Sequence, residues 1–186
     1  MSSKAIPIGL EKNLTQVRLI FGTVAFALVT ALSAKIVIPL GFTPVPISLQ
    51  SLSVILAGLV LGSKAGALSQ VLLILLGLSG LPVFSSPLPG SIVLAGPTGG
   101  YIFGFILTAY FSGWIKENFK VRYWLRDFSL IFLGSFFIFL PGVIWLSQFT
   151  GQNLWLSIQL GVFPFLIGDV VKCAIASFCF AMMKKA

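Results

Sequence analysis

The chain has 186 residues, 58% of them apolar and 9% charged, with twelve Lys and Arg against four Asp and Glu and no histidine. A soluble domain carries about 25% charged residues, so this composition cannot cover a water-facing surface and predicts an integral membrane protein. The basic excess is no nucleic-acid footprint, because it forms no stripe interleaved with polar residues, and without histidine there is no His-based metal site or catalytic triad.

The first apolar segment runs from Val17 to Ile38, with Lys4, Lys12 and Arg18 at its start, Ala27 and Ala31 at four-residue spacing, and Lys35 one turn before Pro39. Lys35 is placed to snorkel to the headgroups. The stretch from Lys12 to Ala34 also resembles a signal peptide, with a basic start, an apolar run and Leu-Ser-Ala at its end. Its removal would leave five spans with the same orientation. The connection that follows, Gly41 to Gln50, holds Pro44 and Pro46, which restrict its backbone. Next come Leu49 to Leu61 and Ala65 to Leu81, joined by the minimal turn Gly62-Ser63-Lys64. Gly58, Gly62 and Gly66 around that turn, like Gly96, Gly100 and Gly104 further on, are spaced for close approach of helices.

The connection from Pro82 to Pro97 is long, apolar and rich in proline, either a plain connector or a lid over a pocket. The fourth segment, Thr98 to Ile115, is followed by Lys116, Lys120, Arg122 and Arg126. Phe128 to Phe149 and Leu160 to Met183 complete the set, and Lys184 with Lys185 ends the chain. Cys173 and Cys179, six apart on one helix, are too distant to bridge and read as buried thiols.

Six spans of roughly 20 residues make residues 1–186 a single membrane domain, all-α, with short connections. A cytoplasmic N-terminus then places ten of the positive charges on one side, while the alternate connections 39–48, 82–97 and 150–159 carry none. The positive-inside rule therefore puts both termini in the cytoplasm, for a multi-pass protein of the cell membrane.

Asp169 and Lys172 stand inside the sixth segment, where an ionised side chain is costly unless paired or functional. Three residues apart on a helix, they share a face, below Pro164 and beneath the proline-rich connections. They form either a mutually neutralising structural pair or a binding site. As a site they offer a carboxylate acceptor beside an ammonium donor, matched to a neutral group with N–H and C=O side by side, such as a urea or amide. Phe84, Tyr101 and Trp145 are candidate walls, and Lys35, Ser85 and Ser86 are candidates to meet a ligand carboxylate at the mouth. The expected ligand is small and largely apolar with one compact polar head.

The motifs Thr43-Pro-Val-Pro-Ile-Ser-Leu-Gln50, Leu56-Ala-Gly-Leu-Val-Leu-Gly-Ser-Lys-Ala-Gly-Ala67, Gly80-Leu-Pro-Val-Phe84, Gly96-Pro-Thr-Gly-Gly-Tyr-Ile-Phe-Gly-Phe105 and Pro164-Phe-Leu-Ile-Gly-Asp-Val-Val-Lys172 together resemble BioY-type biotin transporter proteins. These are the substrate-binding, or S, components of energy-coupling factor (ECF) transporters. The resemblance implies a six-helix protein that captures biotin under its first and third loops, with a transmembrane coupling subunit and ATP-binding subunits driving release. It also implies that Ala27 and Ala31 match the small-residue motif contacting the coupling subunit, and that Asp169 and Lys172 belong to the biotin site. The chain departs from its relatives in Ser85-Ser-Pro-Leu-Pro89 after the Pro-Val-Phe motif, and no arginine stands in the outer loops.

No cofactor is expected beyond biotin as transported ligand, since the chain has no P-loop and ATP would be used only by the partner subunits. The alternative is a stand-alone or proton-coupled facilitator with Asp169 as relay. An enzyme would need a constellation of acids, bases or nucleophiles that the spans do not contain.

Overall fold

A computed structural model of the chain describes residues 8–119 and 124–183, with side chains from residue 14 onward. Lys4, Lys120, Arg122, Lys184 and Lys185, and the side chains of Glu11 and Lys12, lie outside the described residues. Apolar runs give helices, and proline and glycine set their ends. The order is α1 (Ile8–Ser33), β1 (Val37–Ile38), β2 (Ile47–Ser48), α2 (Gln50–Leu61), α3 (Ser63–Leu78), α4 (Gly90–Ala95), α5 (Gly99–Asn118), α6 (Trp124–Thr150), α7 (Leu154–Gly161) and α8 (Phe163–Met183).

The first apolar segment stops being helical at Ser33, before the expected Ile38. Pro39 biases Ile38 toward an extended backbone, and Val37–Ile38 pairs antiparallel with Ile47–Ser48 in a two-residue hairpin that brackets Pro44 and Pro46. The second and third segments are separate helices. Gly62 between them has φ +89, a conformation that L side chains rarely adopt. In the sixth segment a break at Val162 separates α7 from α8, and Pro164 falls in the first turn of α8, where its missing N–H costs nothing.

Three helices among the described residues are long and apolar enough to cross a membrane: Leu14–Ser33, Trp124–Thr150 and Phe163–Met183. Helices α2, with 12 residues, and α3, with 16, rise only about 18 and 24 Å.

Helix α5 is the hub, packing on α6, α2 and α3. A Cβ at Gly113 would meet the backbone of Gly62 and Ser63, and one at Gly100 the Pro141 carbonyl of α6. The last turn of α5 secures the same turn by charge. Lys116 Nζ donates to the Val60 carbonyl at the end of α2 (2.5 Å), and the Glu117 carboxylate accepts from the Ser63 N–H at the start of α3 (2.7 Å). A cation at a helix C-terminus and an anion at an N-terminus both complement the helix dipole. The larger apolar core, including Phe84, Tyr101, Phe139 and Phe165, fills the half of the bundle near the proline-rich connections. A smaller one, with Ile55, Ile131, Cys173 and Phe180, fills the other half.

Candidate functional site

Helix α8 carries Asp169 and Lys172 one turn apart on its buried face, 3% and 8% exposed. Opposite them the proline-restricted hairpin delivers the chain into α2, so that Gln50 and Ser51 begin that helix facing α8. Between the two helices lies a small cavity of about 70 Å³. Tyr101, Ile102 and Phe105 of α5 form one apolar wall, and Ile138 and Phe139 of α6 with Phe165 of α8 form another. Val45, Pro46, Ser48, Ser85 and Thr98 close the end toward the connections. The pattern of apolar walls with a few convergent polar groups is that of small-molecule sites.

The polar groups are not paired as a structural ion pair would be. Lys172 Nζ donates to Ser51 Oγ at 2.8 Å, and no ion pair joins it to Asp169 among the described residues. Ser135 Oγ of α6 donates to the Phe132 carbonyl at 2.8 Å, and Asp169 Oδ2 has no hydrogen-bond partner. Gln50, 4% exposed, likewise leaves Nε2 without a partner. A buried donor or acceptor left unsatisfied costs about 1–3 kcal/mol, so two on residues that line one cavity mark a place that a ligand could complete. One offers an acceptor and the other a donor.

Of the residues expected from sequence, Asp169, Lys172, Tyr101 and Ser85 converge on this cavity. Tyr101 contributes its ring only, because its hydroxyl donates to the Gly161 carbonyl at 3.0 Å. Phe84 is placed elsewhere. It is 2% exposed and its ring fills the space over Gly77 of α3, where a Cβ would collide with it. That plug anchors the 79–89 connection, and the Phe84 carbonyl accepts from Lys35 Nζ at 3.1 Å, so Lys35 ties the end of α1 to this connection. Ser86 lines an adjoining cavity. Trp145 donates from Nε1 to the Gly96 carbonyl at 2.9 Å and is absent from the lining.

Ala27 and Ala31 face inward. Ala27 is 0% exposed within the larger core and Ala31 packs against that core, so in this conformation the pair seats α1 on its own bundle. The outer face of α1 presents Ile20, Phe21, Leu28 and Leu32 instead. Sequence reasoning missed Gln50 and Ser51 as site residues. Gln50 ends one of the motifs, yet an uncharged polar residue at a helix start carries no signal of burial.

The family model described as "BioY family" matches residues 8–186. A relative from Pyrococcus horikoshii named "Probable biotin transporter BioY" is 41% identical over 81% of this chain and 86% of its own. "Biotin transporter BioY" of Thermotoga maritima is 39% identical over 86% and 92%. Both carry the names of transporters, not enzymes. Among solved structures, the crystal structure of "the S-component for biotin from an ECF-type ABC transporter" is similar with a TM-score of 0.85 and 27% identity, covering 98% of this chain and 96% of that one.

Proposed function

The chain belongs to the BioY family, and from that premise we propose that it is the biotin-capturing S component of an ECF transporter. The carrying observation is the pair of unpartnered polar atoms, Asp169 Oδ2 and Gln50 Nε2, on residues that line one apolar-walled cavity. A cyclic urea supplies what they lack. Its N–H donates to Asp169, and its oxygen accepts from Gln50 with Lys172 close by, while the sulfur-bearing ring and alkyl chain of biotin lie against Tyr101, Phe139 and Phe165. A bare cation or anion would leave one member of this set uncompensated in an apolar setting.

In this reading α1, α2, α3, α5, α6 and α8 cross the cell membrane, with Lys64, Lys116 and Arg126 toward the cytoplasm and the proline-rich connections outside. The chain has no P-loop, so uptake against a gradient would draw on a separate coupling subunit and ATP-binding subunits. The test is equilibrium binding to the purified protein. Biotin should bind saturably, desthiobiotin (which keeps the urea) more weakly, and lipoate and thiamine at least about 100-fold more weakly, the loss of roughly two good hydrogen bonds. Thiamine or lipoate binding as well as biotin would refute the assignment. Uncoupler-sensitive accumulation of biotin by the chain expressed alone would favour the facilitator reading.

A further inference from the structure

A second, open cavity of about 600 Å³ adjoins the first, and Pro46, Ser85 and Thr98 line both. The polar atoms of the first cavity sit on α2 and α8, whereas the shared residues close its end toward the connections. A molecule held by its head at Asp169 and Gln50 therefore directs its far end past the shared residues into the second cavity. The walls there are Pro44, Leu88, Ile92, Ala95 and Phe149, with the Ser86 hydroxyl, and no ionised side chain is among the lining. Lys35 is not among that lining; its ammonium donates to the Phe84 carbonyl at 3.1 Å.

Resting on the biotin reading of the first cavity, we infer that the second is a tail channel and that the site takes biotin amides and esters as well as the free acid. Recognition is then concentrated in the urea head. A carboxylate entering the channel meets hydroxyls and apolar walls, and converting it to a neutral amide or ester gives up no ion pair. The channel's open side leaves room for what is attached, such as a lysine joined through an amide.

Equilibrium binding to the purified full-length protein with biotin, biotin methyl ester, biotinyl-lysine and 2-iminobiotin tests this. The ester and the amide are expected within about tenfold of biotin, with 2-iminobiotin, altered only at the head, more than tenfold weaker. If biotin itself fails to bind, the reading of the first cavity falls and takes the inference with it. Biotin binding with the ester and amide both more than tenfold weaker would overturn the tail channel alone. Ala95→Trp, which projects bulk into the second cavity, should weaken biotinyl-lysine at least about ten times more than biotin, about one decade in dissociation constant. Unchanged biotinyl-lysine affinity in this variant would also overturn the channel.

Discussion

Replacing Asp169 by Asn separates a ligand-binding carboxylate from a structural one, because the two roles move affinity and stability in different directions. Asp169 is 3% exposed and Oδ2 has no partner. In a complex that oxygen accepts a charge-assisted hydrogen bond from a urea N–H. Asn is nearly isosteric, but it either presents a neutral acceptor or turns a second donor toward the ligand donor. The loss is about 1–3 kcal/mol, or roughly 5- to 150-fold in dissociation constant. Were Asp169 instead the neutralising partner of Lys172, breaking the pair would cost about 3–5 kcal/mol of fold stability. The geometry argues otherwise, since Lys172 Nζ is held by Ser51 Oγ and not by Asp169. Thermal unfolding of the ligand-free variant in detergent should therefore match or exceed the parent, while biotin titration shows the affinity loss. Unchanged affinity would refute the assignment, as would a large fall in ligand-free stability.

Gln50→Leu removes the unpartnered Nε2 and should weaken biotin by a similar 1–3 kcal/mol, about 5- to 150-fold, without destabilising the ligand-free protein, as titration and melting together would show. Tyr101→Phe leaves the Gly161 carbonyl without its donor and should lower stability by about 0.5–1.5 kcal/mol in a denaturation experiment. Glu117→Ala removes the acceptor of the Ser63 N–H and hydroxyl at the start of α3. A loss of about 0.5–2 kcal/mol with unchanged biotin affinity is expected, measured by melting and titration. Gly113→Ala drives a Cβ into the backbone of Gly62 and Ser63 where α2, α3 and α5 meet. Overpacking there should cost about 1–3 kcal/mol or more, seen as a lower melting temperature and reduced yield of folded protein.

The helices were legible wherever composition decides, because an apolar run in a chain with 9% charge has little alternative to burying its backbone in a helix. Their ends were less so. The hairpin of β1 and β2 involves two residues on each side, too few for an alternating pattern to show. Helix α7 did leave a signal, since the Asn153 side chain accepts from the Leu156 N–H at 2.8 Å as an N-cap, but the apolar stretch behind it merged with the last span by hydropathy. Within the site, scarcity made Asp169 and Lys172 readable. Gln50 and Ser51 become site residues only through the antiparallel return of the chain ahead of α2, which brings them opposite α8. Phe84 looked like a pocket wall because it is an aromatic in a proline-rich connection, and only the bare surface of Gly77 beneath it decides that it is a plug.

The small residues show most plainly what sequence leaves undetermined in a membrane bundle. Spacing by four says that a helix face permits close approach, without saying what approaches. For Gly113 the answer is the turn between α2 and α3; for Gly100 it is Pro141 of α6; for Ala27 it is the chain's own core. In a soluble protein, burial would separate an inward face from an outward one by polarity. Here the outward face of α1 is as apolar as the inward one, with Phe21 and Leu32 more than 70% exposed. Ionisable and amide groups escape this ambiguity, because neither lipid nor an apolar core satisfies them. The cavity at Asp169 and Gln50 is therefore a part of this fold where polarity helps to distinguish a site from a packing surface.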